Sequence, residues 1–299
     1  MKKLIAVLML LMMACGIACA EDAQLTLTAP NGAPAVSVAT LAEEKPELFS
    51  FIAADTIAAE FAKNESDFII APVNAGAKLF KAGKSTYRLA AVITWGNLVF
   101  ASQRADFKPE DINGQTVTLF GENTINASVA LYALEQKGIV PAQAEYLAGA
   151  AETQQLLLQD PDAIVLTAEP AVTAAKIKNE AVISYPVNDL LGNGSGFTQA
   201  GVFVRAETIE ANAEAVNECL ALIAQSAAKC TEDPDAVAKA AVALEILPNE
   251  KVAMAAIPNC GIRYIGASEV KEAIGFTVNI DPAQFGGAEP EDGFYYEAQ

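Results

Sequence analysis

From Gln24 onward, short apolar runs alternate with alanine-rich helical stretches, and this alternation restricts the fold more than any other feature. Gln24 to Ala29, Leu48 to Ala53 and Asp67 to Ala71 read as strands. Pro34 to Ala42, Thr56 to Lys63 and Asn74 to Lys81 read as the helices that follow them. A strand, a helix and another strand return the chain to the same sheet in the same direction, so the pattern predicts parallel strands with helices on the sheet faces. Tyr87 to Thr94 and Asn97 to Ser102 continue as extended pieces. At RADFKPEDINGQ the composition turns polar, with Lys108-Pro109 and Asn113-Gly114 as turn signals.

Beyond that turn the pattern restarts. Thr116 to Phe120, Ala144 to Ala148, Ala163 to Thr167 and Ala181 to Tyr185 read as strands. Asn126 to Lys137, Thr153 to Leu158 and Pro170 to Lys178 read as the helices between them. DLLGNGSGF reads as a loop, Gln199 to Arg205 as a strand, and the rest as nearly all helix, with Glu207 to Lys229, Asp235 to Leu247 and Glu250 to Ile257 as candidates. FGGAEPEDGFYY near the end reads as an irregular surface segment. A chain of 299 residues exceeds what one core usually holds. The late helices also need an apolar surface, which the first sheet provides if the chain enters a second lobe near Ser102 and returns near Gln199. The expected division is residues 21–102 with 200–299 as lobe one and 103–199 as lobe two. Two crossings make a hinge.

The N-terminus has Lys2 and Lys3, an apolar block from Leu4 to Met13, and Ala18-Cys19-Ala20 before an acidic pair. That is the layout of a secretory signal over residues 1–20, with an apolar block too short to span a bilayer. Two export chemistries stay open: ordinary cleavage after Ala20, or lipid modification at Cys15 or Cys19. The formal net charge of −18 repels nucleic acid and anionic lipid. Cys219 and Cys230 lie in one predicted helix, roughly 16 Å apart by helical rise, too far for a disulfide. A Cys230–Cys260 bond fits an oxidising compartment, and buried free thiols are the alternative. The chain has no histidine, which removes Ser-His-Asp and Cys-His catalysis and any His-ligated metal. No pair of carboxylates is placed convincingly across the predicted cleft, so the reading is of a binder without cofactor or metal rather than an enzyme.

Several predicted strands end in small or polar residues: APNGAP (Ala29 to Pro34), APVNAG (Ala71 to Gly76), ITWGN (Ile93 to Asn97), FGENT (Phe120 to Thr124) and LTAEP (Leu166 to Pro170). In open α/β sheets ligands bind beyond the carboxyl ends of the strands, where helix N-termini present free N–H groups. Taken singly, each segment is also what an ordinary turn or helix cap looks like. Divided between two lobes, they predict a cleft. Trp95, the single tryptophan, has Thr94, Gly96 and Asn97 as neighbours, company that suits a cleft wall or hinge better than a core. GNGSG lacks the lysine and following helix of a phosphate loop.

At APNGAPAVSVATL, FIIAPVNAGAKLF, LAAVITWGNLVFAS, INGQTVTLFGENT, AIVLTAEPAVT, FTQAGVFVR and IPNCGIRYIGASEV with the final EDGFYY, the chain resembles substrate-binding proteins of ABC importers. The similarity is to the group serving nitrate, sulfonates, taurine and thiamine-pyrimidine precursors, in family order over nearly the whole mature chain. The resemblance implies an α/β, type II periplasmic-binding-protein fold: two lobes, each a mostly parallel sheet flanked by helices, joined by a two-strand hinge. It places ligand contacts at Asn31, Gly32 and Ala33, at Val73 and Asn74, and at Trp95 in lobe one. From lobe two it places Asn123 and Thr124, Glu169 and Pro170, with Thr198 and Gln199 on the returning crossover. Glu169 departs from what an anion site wants, so either it points outward or the ligand carries a cationic or donating group. The implied partners are a small-molecule ligand and an ABC permease with its ATPase, served by an exported monomer. Delivery to a receptor rather than a permease is the alternative. Scarce Lys and Arg near these loops leave both an anion held by helix N-termini and a neutral heteroaromatic on Trp95 open.

Overall fold

The computed structural model describes residues 24–298, and the export signal read at residues 1–20, with Cys15 and Cys19, lies outside them. Eleven strands are present among the described residues: β1 (Leu27–Pro30), β2 (Phe49–Ile52), β3 (Phe68–Pro72), β4 (Arg88–Thr94), β5 (Leu98–Ser102), β6 (Thr116–Phe120), β7 (Gln143–Leu147), β8 (Ile164–Ala168), β9 (Ile183–Pro186), β10 (Ala200–Val204) and β11 (Ile262–Gly266). They form one sheet in the order β11-β4-β10-β3-β1-β2 and another in the order β7-β6-β8-β5-β9. Helices flank both, as the alternation predicts.

Strand directions follow from where the chain crosses. β1 runs parallel to β2 and β3, and β6 parallel to β7 and β8. β5 opposes β8 and β9, and β10 opposes β3 and β4. β4 ends at the edge where the chain leaves for the other sheet, so β5 must start at that edge and run away from it. β10 does the same on the return. The register Leu98 against Ala168 therefore puts the carboxyl end of β8 level with the crossing. The carboxyl ends of β1, β3, β4, β6 and β8 all face one seam between the sheets.

β5 corrects the expected lobe boundary. The sequence reading places Leu98–Ser102 in lobe one, but it hydrogen-bonds within the second sheet, so the chain leaves the first sheet after Thr94. Three further elements depart from the sequence reading. β11 stands where it names no strand, the helix Lys271–Ile280 where it names no candidate helix, and the short helix Val187–Leu191 runs into the segment it reads as a loop, which begins at Asp189. The Lys271–Ile280 helix buries Ile274 and Val278 in an apolar cluster that also holds Ile69 and Leu89 of the first sheet and Val117 and Leu119 of the second. That cluster is continuous across the seam.

The first sheet is tied at its far end by Asp67. Its carboxylate accepts from Thr26 N–H at 3.0 Å, from Thr208 Oγ1 at 2.7 Å and from the Arg205 guanidinium at 3.0 Å. Burial alone pushes this carboxyl up, but the hydrogen bonds and the guanidinium outweigh it and hold the group below its usual range. Cys219 and Cys230 share the helix Ala213–Glu232, and Cys219, Cys230 and Cys260 are free thiols. Burial pushes the Cys219 and Cys230 thiols up to about 12, which leaves them protonated and inert. No described helix is long and apolar enough to cross a membrane.

Candidate functional site

The seam is lined by amides. Asn97, just after β4, donates from Nδ2 to the Glu169 carbonyl at 2.7 Å, and its Oδ1 accepts from Gln199 Nε2 at 3.0 Å. Gln199 Nε2 also reaches Asn126 Oδ1 at 3.4 Å, in the first turn of the helix Ile125–Gln136. These bonds join both crossings to the second lobe. Farther along, Gln284 donates from Nε2 to the Asn123 carbonyl at 2.8 Å and accepts from Asn74 Nδ2 at 3.5 Å. Ser128 donates to Asp281 Oδ2 at 2.6 Å. The segment after the Lys271–Ile280 helix thus bridges strand ends of both lobes.

The expected site residues divide among several roles. Asn74 faces the seam at the start of the helix Val73–Lys81, while Val73 is fully buried and its N–H donates to Gln199 O at 3.0 Å. The returning crossover thus takes the first N–H after β3, at the point where the chain turns into the helix. Asn31 is exposed after β1, Gly32 has φ 101°, and Ala33 begins a buried short helix. Thr124 spends its hydroxyl on Gly121 O at 2.6 Å, closing the turn that carries Asn123. Thr198 is buried with its hydroxyl on Thr277 Oγ1 at 2.9 Å, so it anchors the late helix to the crossover. Pro170 stands before the helix Ala171–Lys178, preceded by Glu169.

Glu169 is only 6% exposed and points neither to solvent nor to an ion partner. Its carboxylate turns back on the start of the Ala171–Lys178 helix, accepting from Thr173 Oγ1 at 2.9 Å and Thr173 N–H at 3.3 Å. Burial raises this carboxyl, and the two Thr173 bonds and Lys176 offset only part of the rise.

Residues 96–237 match the family model described as NMT1/THI5 like, less than half of the chain. Among solved structures, the chain is similar to an ABC transporter structure from Parabacteroides distasonis at 22% identity, covering 92% of this chain and 99% of that one, with a TM-score of 0.79. It is also similar to the periplasmic aliphatic sulphonate binding protein SsuA from Escherichia coli at 14% identity, 92% coverage of both chains and a TM-score of 0.71. The periplasmic nitrate-binding protein NrtA from Synechocystis PCC 6803 follows at 10% identity, covering 86% and 80%, with a TM-score of 0.58. No curated protein matches by sequence. The chain has the two-lobe periplasmic-binding-protein fold. The resemblance read from the sequence to ABC-importer binding proteins agrees with both comparisons.

In this periplasmic-binding-protein fold, Trp95 sits at the outgoing crossing but turns away from the amide seam. It is 5% exposed, its indole N–H donates to Arg263 O at 2.8 Å, and the Arg263 guanidinium lies 4.5 Å from its ring centroid. That ring face is taken, so a heteroaromatic stacked there would first displace Arg263. The flank holds a 310 Å³ cavity lined by Trp95, Asn188, Asp189, Ser195 and Arg263 among others. Asn188 donates to the carbonyls of Trp95 and Gly96 at 2.9 and 3.1 Å, pinning the second lobe to the hinge. Gln284, Asp281, Ser128, Asn126 and Asn97 have no distinguishing signal in sequence beyond their polarity. Asn97 stands inside the quoted ITWGN segment, whereas Gln284 meets Asn74 across 210 residues.

Proposed function

We propose that this chain is the extracytoplasmic solute-binding component of an ABC importer. It captures a small solute of the sulfonate, nitrate, taurine or pyrimidine-precursor kind between its lobes and delivers it to a permease with its ATPase. The observation that supports this most is the convergence of carboxyl strand ends from both sheets on one amide-lined seam, spanned among the described residues by two chain crossings. Such a seam opens and closes by rotation at the crossings, which is how a binding protein reports occupancy to a membrane partner. Solute-binding proteins of ABC importers with this fold are not enzymes, and the absence of histidine removes the commonest acid-base machinery. The residues proposed for contact are Asn31, Asn74, Asn123 and Gln199 with the neighbouring backbone.

The test is titration of the purified protein with nitrate, alkanesulfonates, taurine and pyrimidine precursors, following Trp95 emission and the melting temperature. One tryptophan gives the signal one source, and its place at the crossing makes it a reporter of lobe rotation. A saturable change with matching thermal stabilisation supports the reading. No change of either signal with any compound counts against a small-solute site in the seam.

A further inference from the structure

Resting on the seam as the solute site, we infer that it recognises its solute by accepting hydrogen bonds. It takes a neutral or cationic donor group, such as the edge of a carboxamide, ureide or amino-heterocycle, and discriminates against bare oxyanions. The reasoning starts at Asn123, a non-glycine residue with φ 58°, whose carbonyl receives Gln284 Nε2 at 2.8 Å. A carbonyl only accepts, so the Gln284 carboxamide has one permitted orientation, and its Oε1 is the atom left facing Asn74. That oxygen also only accepts, so Asn74 turns its Nδ2 toward it, at 3.5 Å. The remaining terminal atom of the planar Asn74 amide is Oδ1, and it has no partner although Asn74 is 9% exposed. A backbone carbonyl, acting through two amides, thus sets which atom of Asn74 is left open, and the open atom is an acceptor.

A buried acceptor without a donor is a cost to the fold that a solute N–H or O–H removes. Part of the seam has the same bias: Asp281 accepts from Ser128, Asn97 spends its amide on the Glu169 carbonyl and Gln199, and Asn126 takes Gln199 Nε2 through its Oδ1. Among the described residues no Lys or Arg side chain hydrogen-bonds to any of these groups. The start of the Val73–Lys81 helix works the other way, favouring negative charge; Val73 N–H is committed to Gln199 O, and the unpaired Asn74 Oδ1 opposes an anion at that same helix start. An oxyanion beside Asn74 would therefore meet an unpaired amide oxygen and, on the same bridging segment, the Asp281 carboxylate, without an arginine or lysine to hold it.

The experiment is calorimetric titration of the purified protein with two bare oxyanions, nitrate and methanesulfonate, and three donor-bearing probes, nicotinamide, allantoin and 4-aminopyrimidine. The variants are Asn74→Leu and Gln284→Met, each checked by thermal melting. The expected result is saturable binding of a donor-bearing probe and of neither oxyanion. Asn74→Leu weakens that binding by about tenfold or more. Gln284→Met frees the Asn74 amide to turn, so it narrows the discrimination against nitrate and methanesulfonate, a selectivity change that loss of packing would not produce. Saturable binding of either oxyanion to the unaltered protein overturns acceptor-led recognition while leaving the solute-binding reading in place. Undiminished binding of the donor probe by folded Asn74→Leu overturns it as well. Binding of neither class overturns both readings.

Discussion

Asn97 and Glu169 hold each other twice: Glu169 N–H donates to Asn97 O at 2.9 Å, and Asn97 Nδ2 donates to Glu169 O at 2.7 Å. The first of these residues lies on the outgoing crossing and the second at the carboxyl end of β8, so the pair fixes the second lobe to the point where the chain enters it. Asn97→Ala keeps the main-chain bond but strands the Glu169 carbonyl and releases Gln199. The expected loss is about 1–3 kcal/mol of unfolding free energy, measured by urea denaturation. A change within about 0.5 kcal/mol, the range of an ordinary surface substitution, would mean that the pair does not brace the crossing.

Glu169 should make stability depend on pH in a defined direction. Its carboxyl is raised above the ordinary value of 4.5, chiefly by burial, so the folded chain binds this proton more readily than the unfolded one. Between that ordinary value and the raised one, the folded state holds the extra proton and stability falls as pH rises. Glu169→Gln removes the carboxyl. Relative to the unaltered protein, the variant should gain stability as pH rises through this window and show no such gain below it. Urea midpoints from pH 4 to pH 8 measure the difference, and parallel curves would show that Glu169 ionises as it does in the unfolded chain.

The elements legible in sequence are those with complete local signals. β3 is an uninterrupted buried run from Phe68 followed by small residues, and β6 has the predicted bounds. β11 escapes a sequence reading because it is an edge strand with only half-buried and exposed residues, including Arg263, embedded among helices. The Lys271–Ile280 helix has no side-chain cap at Val270 and carries Gly275 inside it, so neither its start nor its propensity stands out. β5 is recognisable as a strand but not assignable to its sheet, since pairing is a tertiary choice. The same limit hides Gln284: it lies in the short helical turn Pro282–Phe285, and only the packing of the late helix brings it between Asn74 and Asn123.

Arg263 should govern what Trp95 reports. The guanidinium covers one face of the indole, and the Arg263 carbonyl receives the indole N–H. Arg263→Ala keeps the carbonyl but uncovers that face to water. A red-shifted emission with a stability loss of about 0.5–1 kcal/mol is expected, the size of an exposed cation–π contact. Unchanged emission would show that the stacked arginine does not shield the ring.

Gly76 is where the geometry of the seam meets the core. A methyl group at this position would overlap the edge of the Phe203 ring, in the middle of β10. Phe203 has little room to retreat, because Phe61 lies 5.0 Å away edge-on and Phe294 lies 5.9 Å away. Two effects of Gly76→Ala therefore oppose each other. Alanine favours a helix interior by about 0.8–1.0 kcal/mol over glycine, whereas overpacking a closed core costs about 1–3 kcal/mol. Because the ring is hemmed in, overpacking falls in the upper part of its range and outweighs the helix preference, so a net loss of about 1–2 kcal/mol is expected in urea denaturation. Adding Phe203→Leu should recover part of it, because the smaller side chain vacates the space the methyl needs. The helix carries Asn74 two residues earlier, so a displaced helix also moves the seam amide, and solute affinity should fall in Gly76→Ala and return in the double variant. A Gly76→Ala protein as stable as the original would show that helix and crossover strand have slack between them, and Asn74 would lose its rigid support.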